Sequence, residues 1–104
     1  MIPKALAEMI GTFTMIFVGG GSILLTERYP QIFPPFIIPL AWGSTIALMI
    51  FAVSHISGAH FNPAVTLAFV AAKRLSLAQV PIYWTSQIVG GLAAIGLLEV
   101  LKKI

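Results

Sequence analysis

The chain contains no cysteine. No disulfide framework, thiolate nucleophile or Cys-based zinc site can be built from it, and the redox compartment is left open. Acid is almost as scarce. The three acidic residues, Glu8, Glu27 and Glu99, are scattered among 104 residues, so no paired-carboxylate machinery for acid–base work is present. Charged residues make up 9% of the chain, whereas a soluble domain carries roughly 25%. That shortage excludes a soluble globule, which could not be covered with polar surface. The formal charge of +3 comes from six scattered basic residues that form no patch, which argues against nucleic acid as a partner. What the chain has instead is apolar mass, 59% hydrophobic with a mean hydropathy of +1.01. It reads as an all-α membrane protein.

The apolar residues fall into three long runs. The first, from about Ala5 to Leu25, is long enough to cross a hydrocarbon core of about 30 Å. A secretory signal peptide is the competing reading, with Lys4 before the run and Gly19-Gly20-Gly21-Ser22 after it. The length of the run, its interruption by Glu8 and the two further spans favour a retained helix. Thr26 to Pro35 is a connection rich in proline and charge. The second span runs from about Phe36 to Ser54 and the third from about Gln79 to Val100. The small-residue spacings Ala7/Gly11, Gly43/Ala47 and Ser86/Gly90/Ala94 predict faces on which helices approach closely. Lys4, Lys73 and Arg74 fall on one side of the membrane and Arg28, Lys102 and Lys103 on the other. With no excess of Lys and Arg on either side, the chain carries no topology signal.

Between the second and third spans lies Ser57-Gly58-Ala59-His60-Phe61-Asn62-Pro63-Ala64-Val65-Thr66. Asn62 is a good N-cap, and Pro63 sits at the first helical position, where no N–H is needed. A helix from Pro63 to Ala72 rises only about 15 Å and ends at Lys73-Arg74. Irregular backbone leading into half a helix is tolerated at membrane depth only inside protein or beside a wet cavity. The predicted architecture is therefore three transmembrane helices (5–25, 36–54 and 79–100) plus one re-entrant loop and half-helix (55–72), a single unit over residues 1–104. Gly58, Ala59, His60 and Phe61 are expected in extended backbone, with their carbonyls forming a row of acceptors.

This ten-residue string, preceded by His55-Ile56, resembles the first Asn-Pro-Ala loop of the aquaporin/glycerol-facilitator (major intrinsic protein) family. Ala7-Glu8-Met9-Ile10-Gly11-Thr12-Phe13 resembles that family's first helix. Leu77-Ala78-Gln79-Val80-Pro81 with Ser86-Gln87 resembles its third, nearest to nodulin-type and aquaglyceroporin-like members. The chain departs from the family pattern in holding one half of an inverted repeat. Val65 follows its Asn-Pro-Ala, so the filter arginine that follows the second such motif is not here.

The resemblance implies roles that compete with plainer ones. Asn62, with Pro63 and Ala64, is either a simple helix cap or, as in the family, the point where an amide N–H meets the pore. His60 pairs with His55 for a metal only weakly, because no carboxylate or HExxH pattern accompanies them. The resemblance makes it a support of the loop. Glu8 reads as an intramembrane acid, as a residue snorkelling to the interface, or, by resemblance, as the acceptor of the loop's N–H groups. Gln87 is given similar work. Trp42 is either an interfacial belt residue or, by resemblance, one wall of the selectivity filter of a glycerol-conducting type.

The expected function is a channel for passive transport of water or small neutral solutes such as glycerol, assembled from two inverted copies and able to form a higher oligomer. The alternative is a split or truncated half acting as a non-conducting subunit that needs a different partner chain. No catalytic residue, cofactor or metal is expected. The expected location is the cell (plasma) membrane.

Overall fold

A computed structural model covering residues 1–104 contains helices α1 (Ile2–Arg28), α2 (Ile37–Ser57), α3 (Pro63–Ala71) and α4 (Val80–Lys102), with a 3-10 turn at Leu77–Gln79 before α4. There is no strand. The three long helices are apolar enough to cross a membrane, and the molecule is 47 Å long. They run past the predicted spans because helix geometry does not stop where hydrocarbon does. Lys4, Thr26, Glu27 and Arg28 continue α1 into the headgroup layers, which widen a bilayer to about 40–45 Å.

α1 is the hub, packing against both α2 and α4, while α3 packs on α4. Close approach of α1 and α4 depends on Gly90, whose absent side chain leaves room for the Met9 carbonyl, and on Gly91 beside Ile16 and Thr12. Ser86 and Ala94 are buried on the same face. The other two small-residue spacings are used differently from the prediction. Gly11 accommodates the ring of Phe61 from the loop rather than another helix. Gly43 meets nothing, and both Gly43 and Ala47 face outward.

α3 has nine residues and is about 13 Å long. It starts as the sequence suggests: Asn62 is extended (φ −160°, ψ 130°), its Oδ1 accepts from the Ala64 N–H, and Pro63 holds the first position. Its end is less ordinary. The Lys73 N–H donates to the Val70 carbonyl and the Arg74 N–H to the Phe69 carbonyl, each at 2.9 Å. This is the double bond of a Schellman cap, a motif that wants glycine in its left-handed position. Lys73 occupies that position with φ +63°. Lys73→Gly is therefore expected to stabilise the protein by about 0.5–1 kcal/mol, read as a raised midpoint in thermal unfolding in micelles. An unchanged or lowered midpoint would mean that the cap is not strained.

Lys73 and Arg74, at the far end of α3, border one cavity with Lys4 of α1 and with Ser57 and Gly58, where the chain leaves α2. The segment 58–74 thus enters and returns at the same end of the molecule.

Candidate functional site

The loop between α2 and α3 is held by a carboxylate. Glu8, in the second turn of α1, is fully buried. Its Oε2 accepts from the Ser57 hydroxyl at 2.7 Å and the His60 N–H at 3.0 Å. Its Oε1 accepts from the Phe61 N–H at 2.8 Å and the Gln87 side-chain amide at 2.9 Å. Four donors from three parts of the chain converge on one side chain.

This convergence sets the backbone, and here the structure corrects the expectation of an extended segment at 58–61. Gly58 (φ +91°), Ala59 (+56°) and Phe61 (+56°) are all left-handed. Turning two successive N–H groups onto one anion curls the chain into a nest, which an extended strand cannot form because its successive N–H groups point to opposite sides. Left-handed geometry costs an ordinary residue about 1–2 kcal/mol. The charge-assisted bonds to Glu8, at about 1.5–3 kcal/mol each, outweigh it. The Ser57 hydroxyl closes the turn by accepting from the Ala59 N–H at 3.1 Å.

His60 is buried and sandwiched between the rings of Phe69 (4.1 Å) and Tyr83 (4.5 Å). Its Nδ1 lies 2.9 Å from the Thr66 hydroxyl, which accepts from Gln87 Nε2 at 2.9 Å. The Thr66 hydroxyl proton has no other acceptor, so it goes to Nδ1, and the neutral imidazole carries its proton on Nε2. Tyr83 donates to the Ser57 carbonyl and Trp84 to the Pro63 carbonyl. Both Gln87 amide protons are used, on Glu8 and Thr66, which leaves its buried oxygen without a partner.

Glu8, His60 and Gln87 thus meet in one cluster, together with Ser57, Thr66 and Tyr83, which the sequence reading did not single out. A signal for Tyr83 was present: it lies four residues before Gln87 on the same helix and so shares its face. The Gly58 N–H donates back to the Ser54 carbonyl at the end of α2, those of Ala59, His60 and Phe61 donate inward to Ser57 and Glu8, and none of the four carbonyls accepts a hydrogen bond from the protein. Asn62, Pro63 and Ala64 are exposed beside them. Trp42 stands apart, half-buried with its indole over Gly19. That is about 12 Å farther along α1 than Gly11, where Phe61 docks. His55 faces outward, and no group of three potential metal ligands occurs in the chain.

The family model described as Major intrinsic protein matches residues 1–104. Nodulin-26 of Glycine max is 41% identical over 102 residues, covering 96% of this chain and 37% of that protein. Aquaporin NIP3-1 of Arabidopsis thaliana is 42% identical over 100 residues, covering 94% of this chain and 30% of its own length. Aquaporin Z of Photorhabdus laumondii is 42% identical over 104 residues, with coverage of 99% and 45%. The chain spans less than half the length of these curated relatives. With a buried carboxylate organising the loop, three helices fit to cross a membrane and a family match along its whole length, the chain belongs to the major intrinsic protein family.

Proposed function

We propose that this chain forms one half of a channel that passes water or small uncharged solutes of the glycerol kind through a cell membrane such as the plasma membrane. An inverted second copy completes it. One observation carries the reading. Glu8 draws the loop's N–H groups inward, and the carbonyls of residues 58–61 are left without a protein donor. Unsatisfied carbonyls inside a bilayer are costly, so they call for water or solute hydroxyls along a wet path.

On this reading Asn62 stands at the head of that path, its Oδ1 committed to the Ala64 N–H and its amide protons free to donate. Each α3 N-terminus carries roughly +0.5 elementary charge, and two of them facing one another oppose a cation by about 3 kcal/mol at 5 Å and an effective dielectric constant near 20. A neutral solute feels no such barrier. A water that accepts from two amides cannot relay a proton between them. Trp42 supplies an apolar wall for a polyol's carbon edge and an N–H for one hydroxyl. Members of this family are channels rather than enzymes.

The test is stopped-flow swelling of vesicles that contain this chain alone, with water, glycerol and urea. Flux above protein-free vesicles is expected, and Asn62→Asp is expected to lower it and admit cations. No flux until a different chain is supplied would favour the second reading, a non-conducting half, which the partial coverage of the relatives keeps in play. The inverted pairing has its own check. The chain has no cysteine, so Ser76→Cys offers a single thiol for an impermeant maleimide. Labelling from both faces of sealed membrane vesicles is expected; labelling from one face alone would sink the antiparallel assembly.

A further inference from the structure

We propose that the cavity between the start of α1, the end of α3 and the start of α4 binds a phosphate group, either free or as a lipid headgroup. The inference stands on this cavity and does not rest on the channel. The space measures about 750 Å³. Lys4, Lys73 and Arg74 border it, and no carboxylate lines it. Of the three acids in the chain, Glu8 is enclosed and saturated by its four donors. Glu27 and Glu99 belong to the opposite end, where two of the three cations, Arg28 and Lys102, find partners. There Lys102 pairs with Glu99 at 3.3 Å, and Arg28 donates to the Lys102 carbonyl.

At the α3 end the only bond from any of the three cations is Lys4 Nζ to Gln79 Oε1 at 3.3 Å. Two Lys4 protons and the whole of the Lys73 and Arg74 heads remain available. The floor adds a donor of another kind. His60 is 5% exposed, it lines the same cavity, and its protonated Nε2 has no partner in the protein. Gly58 leaves room beside that nitrogen, since a Cβ there would lie 3.0 Å from it. Three cations and one buried imidazole N–H around a space without acid suit a ligand that accepts from every side, and phosphate is such a ligand. The left-handed Lys73 fits this use, because the backbone favours glycine where a cation stands.

The test uses the full chain reconstituted in phosphatidylcholine vesicles. Inorganic phosphate is titrated and followed by phosphorus NMR line broadening. In parallel, protein from vesicles doped with phosphatidic acid is assayed for retained lipid by native mass spectrometry. A basic residue near an anionic group contributes about fivefold in affinity, so Lys73→Gly with Arg74→Gln is expected to weaken binding about 25-fold. Lys73→Gly suits the native backbone, so the pair should fold. Lys103→Gln, at the other end, should leave binding within about twofold. Loss of phosphate broadening in the double variant identifies a small-anion site, and loss of retained lipid alone identifies a headgroup site. Binding of neither probe, or binding equal in the double variant and Lys103→Gln, overturns the proposal.

Discussion

Glu8→Gln should cost the protein about 3–5 kcal/mol of stability, and Glu8→Ala at least as much. The two side chains of the first exchange have nearly the same shape, so packing is not what changes. The carboxylate presents two acceptor oxygens to four donors. Glutamine presents one oxygen and an NH2 group. Whichever way the amide is turned, its NH2 faces one backbone N–H, of His60 or Phe61, that can only donate, and one side chain, Ser57 or Gln87, that must give up its present bonds to accept, at about 1–3 kcal/mol for each group left unsatisfied. The surviving bonds also lose their charge assistance. Denaturant or thermal unfolding in micelles reads the loss, and amide exchange localises it, because the His60 and Phe61 N–H groups should lose protection before the helices do. A Glu8→Gln protein within about 1 kcal/mol of the parent, with both amides still protected, would show that the loop holds its shape without the carboxylate.

The second large effect is expected at Gly90. A Cβ there would overlap the Met9 carbonyl, and a backbone atom cannot rotate out of the way. α1 and α4 would have to part along their interface, so Gly90→Ala should destabilise by about 1–3 kcal/mol and Gly90→Val by more. Two other glycines of the same helices make the comparison sharp. Gly20 has only a methyl of Leu98 near its missing Cβ, and Gly96 has nothing within reach. Gly20→Ala should be mild, and Gly96→Ala should be neutral or stabilising by up to about 1 kcal/mol through helix propensity. Unfolding midpoints of the three alanine variants check the order. Equal effects at Gly90 and Gly96 would mean that the helices are not in backbone contact.

The helices were legible because their apolar runs are long and their breakers plain. Their ends were not. The polar residues that finish α1 continue its hydrogen-bond ladder into the headgroup layers, and hydropathy cannot see a ladder. The start of α3 could be read from Asn62 and Pro63, since a capping side chain and a missing N–H act within a few residues. The loop before it could not. Ala59 and Phe61 are poor choices for left-handed backbone, and what holds them there is Glu8, some fifty positions earlier in the chain. A local reading finds Gly58 and stops. Glycine spacing misled for a related reason, because Gly11 looks like a helix contact and is used by a loop aromatic, while Gly43 has the same spacing and no neighbour. Trp42 was visible as a lone indole, but its seat on Gly19 depends on how α1 and α2 cross.

The wiring of Glu8 bears on how the protein is made. α1 leaves the ribosome with its acid unaccompanied. The loop donors are synthesised some fifty residues later, and Gln87 seventy-nine residues later. Until then the acid in the second turn of α1 has no partner; at a helix centre an unpaired charge carries an insertion penalty of about 2.5–3.5 kcal/mol, which falls toward the helix end. A nascent first helix therefore has reason to linger at the translocon or ride high in the bilayer. The end of α2 and the loop after it supply three of the four donors and α4 brings the fourth, so α1 can settle to full depth in two steps, and its final seating waits on Gln87.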